Sequence, residues 1–71
     1  MSIITRSYDS IMAIYSPLLT FVPISYFASF VDVWLDLAND YLFLGLNRDA
    51  QDCFECATAY SDLAVQKARG L

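Results

Sequence analysis

Cys53 and Cys56 form a C-x-x-C, and no other residues of the chain come as near, in type and spacing, to chemistry. In a dithiol oxidoreductase such a pair opens a helix that follows a strand, where the helix N-terminus lowers a thiol pKa. Here the pair falls inside a helical pattern, with Asp52 and Glu55 beside it. Negative neighbours push a thiol pKa up, not down. A structural zinc site takes four ligands, and the chain offers no further cysteine and no histidine. The pair therefore reads as two small apolar residues in a helix. No metal and no cofactor is expected. The lack of histidine also removes Ser-His-Asp and Cys-His catalysis. The only two glycines, Gly45 and Gly70, do not make a phosphate-cradling loop. The sequence predicts a protein that is not an enzyme.

Charge is the second chemical resource, and it is uneven. From Asp32 to Asp62 the chain carries seven acids against one base, Arg48, within a formal net charge of −4. Phosphate contact needs clustered Lys and Arg, so direct nucleic-acid binding is not expected. The acids fit a solvated helix face. They also fit a surface that docks on a basic patch of a partner.

The 71 residues make one domain at most, and a chain this short hides only a modest share of its surface. Yet 58% of its residues are hydrophobic, above the usual proportion of about 45–50%. A membrane, a partner protein or a second copy of the chain could take up the excess.

The elements that position these residues can be read from periodicity. Residues 1–10 are mixed and expected to be loosely ordered. Ser10 to Val31 carries no charge and is long enough to span a bilayer. Arg6 followed by Asp9 makes a poor signal-peptide start. Pro17 and Pro23 oppose one straight helix. The pattern predicts a short helix near Asp9–Tyr15, then a turn or helical piece at Pro17–Val22 with Ser16 as its N-cap. A long helix should start near Pro23. In it Ser25, Ser29, Asp32, Asp36, Asn39, Asp40 and Phe43 recur at steps of three and four, opposite Phe27, Phe30, Val31, Trp34, Leu37, Ala38 and Tyr41. That is an amphipathic helix, and it weakens the membrane reading.

Gly45 ends the long helix, and Asn47 is expected to cap the last one, with Asp49 favouring its N-terminal dipole. In that helix Ala50, Cys53, Phe54, Ala57, Tyr60, Ser61, Ala64 and Ala68 share one face. Asp52, Glu55, Asp62, Gln66 and Arg69 share the other, with Ala59 on this polar side. Lys67 and Arg69 suit the C-terminal dipole, and Gly70 stops the helix. The short link makes the two helices antiparallel. The expected fold is all-α: a helical hairpin over residues 23–69 with the N-terminal segment 1–22 packed against it as a short helix. Ile11, Ile14, Leu18, Leu19, Phe21 and Val22 could cover one side of the hairpin and leave another open.

Trp34, Leu37, Ala38 and Tyr41, followed by Ala50 and Phe54, resemble the tetratricopeptide repeat, whose pattern is W-x₂-L-G-x₂-Y then A-x₃-F. Gly45 and Ala57 extend the resemblance over residues 31–64, just under half the chain. Ala38 replaces the usual glycine, and Asp62 stands where a proline would close the second helix. The resemblance implies a hairpin held by close contacts at small residues. A single such unit needs neighbours to bury its apolar face.

These observations point to a small non-catalytic protein–protein interaction module, cytoplasmic, acting as a homodimer or on a protein partner. The expected contact residues are Tyr26, Phe30, Asp32, Asp36, Asp40, Phe43, Asp49, Asp52 and Glu55. Phe27 and Trp34 belong more naturally to the core, and Phe43, at the end of the polar stripe, is the best exposed anchor. A second reading is a small acidic inhibitor of the phage or virus type that blocks a partner's site, a nucleic-acid-binding site being one option, since the acids could present charge like a phosphate track. A third is a small membrane subunit with residues 11–31 in lipid.

Overall fold

A computed structural model describes residues 8–70. Among them the elements are α1 (Tyr8–Tyr15), a 3-10 turn (Ser16–Leu18), α2 (Ile24–Phe43) and α3 (Asn47–Ala68). The expectation for residues 1–7 lies outside the described part. α1 starts at Tyr8, one residue before the expected Asp9.

The two prolines set the breaks. Pro17 sits in the first positions of the 3-10 turn, where its missing N–H costs nothing. Ser16 does not cap that turn; Tyr15 takes the cap position with no side-chain hydrogen bond. Pro23, extended at φ −69° and ψ 154°, is the residue from which α2 departs. The uncharged segment is therefore three pieces, and no helix among the described residues is long and apolar enough to cross a membrane.

The hairpin turn is a Schellman closure. Gly45 has φ +80°, its N–H bonds Leu42 O at 3.0 Å, and the Leu46 N–H bonds Tyr41 O at 2.8 Å. Leu46 then starts α3, because its carbonyl accepts from the Ala50 N–H at 3.0 Å. This corrects the expected Asn47 cap. One residue ends α2 and opens α3, so Asn47 is already helical and no side chain caps the start.

α2 and α3 pack along their length as an antiparallel pair, and α1 packs on α3. Ile11, Phe27, Cys56, Ala59, Tyr60 and Leu63 make one buried cluster, with Tyr15, Phe30 and Trp34 packed against it. The faces of α2 follow the expected stripes: Phe27 and Ala38 are fully buried, and Ser25, Ser29, Asp32, Asp36, Asn39, Asp40 and Phe43 are exposed.

α3 departs from expectation. Ala50, Cys53, Ala57 and Tyr60 are buried as anticipated, but so are Cys56, Ala59 and Leu63. Ala59 is not on a polar side. α3 lies between two neighbours and buries a wider arc than a helix with one partner. Conversely, Ser61 and Ala68 are exposed, and Phe54 is 38% exposed. From the N-terminal segment Ile11 is buried and Leu19 and Val22 pack on the core, while Ile14, Leu18 and Phe21 stay exposed.

The Cα extents are 39 × 22 × 13 Å, with a radius of gyration of 12.6 Å. A compact sphere of this length would have about 11 Å. The protein is a slab, and a slab of this chemistry leaves apolar surface uncovered.

Candidate functional site

The acids expected to act together stand on different sides of the hairpin. Asp32, Asp36 and Asp40 are exposed, about half a helical turn from the α2 residues that meet α3. Asp49 and Glu55 are exposed on α3, and Asp52 is half-buried. Their three-residue spacing turns them around α3 instead of lining them up beside the α2 acids. Among the described residues no ion pair involves any of these carboxylates.

The aromatic candidates separate as well. Tyr26, 40% exposed, and half-buried Phe30 line a shallow groove with Pro23, Ser29 and Val33. The two rings meet edge to face, centroids 4.7 Å apart. Phe43 is 92% exposed at the end of α2, beside exposed Leu44. Ring packing fixes the Tyr26 end of α2: Tyr15 contacts Tyr26, Phe27 and Tyr60 at centroid distances of 6.2, 5.7 and 5.5 Å.

The sequence reading expected one side of the hairpin to stay open but did not name the residues that line it. Ala28, Val31 and Leu35 of α2 face Phe54, Ala57 and Ser61 of α3 across two shallow depressions that share Val31 and Ser61. The second depression runs on to Ala64, Val65 and Ala68. α1 packs over the side of α3 that carries Cys56, Ala59 and Leu63. The residues of the two depressions face the other way, so no other described element covers this side of the hairpin. Leu35 and Val65, which fall outside the stripes drawn from periodicity, were the signal for it.

The titratable groups Tyr8 and Cys53 are perturbed, neither by a catalytic arrangement. The Tyr8 hydroxyl donates to Asp62 Oδ2. That hydrogen bond, then burial, then the charges of Asp62 and Asp9 hold its pKa above the ordinary phenol value. Burial, then the charges of Asp52 and Asp49, raise the Cys53 thiol pKa. A raised thiol pKa is the opposite of what a redox dithiol uses. Both cysteines are buried, and no disulfide joins them. No group of His, Cys, Asp or Glu among the described residues is placed to hold a metal ion.

Lys67 ties the N-terminal segment to α3: its Nζ donates to Leu19 O at 2.6 Å and to Thr20 O at 3.5 Å. The Trp34 indole N–H is buried without an acceptor among the described residues.

No protein-family model matches the chain. No curated protein matches it, and no solved structure does.

Proposed function

We propose that the chain is a small non-catalytic protein–protein interaction module. The observation that carries this reading is the amount of large apolar side chain left in water on a slab of three helices. Phe43, Phe21, Leu44 and Val33 are 92%, 80%, 67% and 58% exposed, and Leu35, Leu42, Phe54 and Val65 add to them. Leu35, Phe54 and Val65 line the adjoining depressions between α2 and α3, and joined apolar surface of this kind commonly marks an interaction site. The unpaired acids of α2 and α3 supply a charged rim, which tunes partner choice and encounter rate more than affinity. The tetratricopeptide-like spacing of Trp34, Tyr41, Ala50 and Phe54 supports the same reading, as a hairpin made to stack.

The test is capture from the native host with the tagged full-length chain and with a variant in which Phe43 and Val33 are both serine. Both side chains stand mostly in solvent, so the variant should keep the parent's helical content and Tm. A partner recovered in fixed ratio with the parent and in reduced amount with the variant supports the proposal. A parent chain that sediments as a monomer, binds no hydrophobic dye and retains no protein overturns it.

A further inference from the structure

We propose that the bare side of the α2–α3 hairpin is a seat for one basic amphipathic helix of a partner protein. This deepens the interaction reading and rests on it. The seat is the apolar trough between Val31 and Leu35 of α2 and Phe54, Ala57, Ser61 and Val65 of α3. Its form argues for a helix. Two antiparallel helices leave a groove parallel to their axes, and an amphipathic helix fills such a groove with one apolar stripe. On the opposite side α1, itself a short helix, packs on α3, with Ile11 in one cluster with Phe27, Cys56 and Leu63. From Phe54 to Ala68 the trough runs about 21 Å at 1.5 Å per residue, the length of a helix of about 14 residues.

Charge decides the occupant. The lining carries a single charged residue, Asp32, and Asp36 stands one turn further along the same exposed edge of α2. No base lines the trough. Lys67 is engaged with the Leu19 carbonyl, Arg48 is at the hairpin turn, and Arg69, exposed beyond Ala68 at the C-terminal end of α3, does not line the trough. A second copy of this chain, at net charge −4, would bring acids towards acids. A helix with Lys or Arg flanking its apolar stripe would bring opposite charge.

The test is titration of the full-length protein, followed by amide NMR, with two synthetic peptides of about 14 residues. Both carry leucine at i, i+3, i+4 and i+7; one has lysine at the remaining positions and the other glutamate. The proposal expects saturable shifts at Val31, Leu35, Phe54 and Ser61 with the lysine peptide, and binding of the glutamate peptide weaker by about tenfold or more. Leu35→Gln with Phe54→Gln should abolish the shifts. Asp32→Lys with Asp36→Lys should reverse the preference. Equal binding of both peptides, or shifts centred on α1, overturns the proposal. Shifts at the same residues on raising the concentration of the protein alone, with dimers in sedimentation, overturn it in favour of a second copy. Absence of both peptide binding and dimers also overturns it. In that case capture of a partner that the Leu35→Gln, Phe54→Gln variant still retains leaves the interaction reading standing. Failure to capture any partner brings down both.

Discussion

The ring of Phe30 lies nearly flat on that of Tyr60, with centroids 4.8 Å apart and planes 16° from parallel. Tyr60 is also met at an angle by Tyr15, so one side chain of α3 touches rings from both other helices. It is 1% exposed and the largest fully buried side chain.

Truncating this junction should unfold the protein. Loss of a buried aromatic ring costs about 3–5 kcal/mol, and a core of this size supplies about that much in all. Tyr60→Ala is expected to show no cooperative thermal transition in circular dichroism. Tyr60→Phe, which keeps the ring, should still melt cooperatively. A clear transition in the alanine variant would mean that the hairpin is held elsewhere.

Ala59 tests the position of α1. Ala50 and Ala57 sit where α2 and α3 touch, and Ala59 sits in the cluster with Ile11. Leucine at any of the three should overpack its contact by about 1–3 kcal/mol. The sequence alone predicts a neutral Ala59→Leu, whereas the fold predicts a loss comparable to that of Ala50→Leu. Urea unfolding of the two variants decides between them. A neutral Ala59→Leu would place α1 away from α3.

The thiols should be slow to react. With its pKa raised by burial and by Asp52 and Asp49, Cys53 holds little thiolate near neutral pH. Alkylation by iodoacetamide at about pH 8, near the ordinary thiol pKa, should proceed far more slowly in the native protein than in urea, as mass spectrometry can follow. Cys53→Ala with Cys56→Ala should keep the fold at a lower Tm, since each change removes one buried group worth about 1 kcal/mol. Native-state alkylation as fast as that in urea would contradict the burial of Cys53.

The Tyr8–Asp62 hydrogen bond predicts an alkaline limb in stability. The Tyr8 pKa is raised by folding, so its protonated form is the one the folded state favours. The contribution is complete below the phenol's unfolded value of about 10 and is lost as pH rises through the folded value. Tyr8→Phe should be less stable than the parent at pH 8 and should approach it as pH rises past 10. A difference between the two that stays constant over this range would remove the hydrogen bond from the account.

What the sequence disclosed, and what it withheld, follows from how far each signal reaches. Gly45, Pro17 and Pro23 act on their own backbone, so the breaks between helices were legible. The Ser25–Asp40 stripe of α2 was legible because that helix has one main packing partner. α3 was misread because Ala59 and Leu63 lie among Glu55, Asp62 and Gln66, and periodicity draws one buried face where two neighbours require a wider arc. The spacing of Asp32, Asp36 and Asp40 was legible for the same reason as their stripe. That Asp49, Asp52 and Glu55 turn away from them depends on how α3 is rotated against α2. The bare trough depends on where α1 lands, which no local pattern encodes.

The packing of α1 on α3 also has a consequence in time. A chain is made N-terminus first, so Ile11 exists well before Cys56, Ala59 and Leu63, the α3 residues that share its cluster. At synthesis rates of about 5–20 residues per second, the interval is about 3–10 seconds. Over that interval α1 lacks its α3 surface and has only the Tyr26 and Phe27 rings of α2 to meet, while α2 and α3, joined by a three-residue turn, can close as soon as both are made. Docking of α1 on α3 thus waits for synthesis to reach Leu63, and until then the Ile11 side of α1 is open to chaperones.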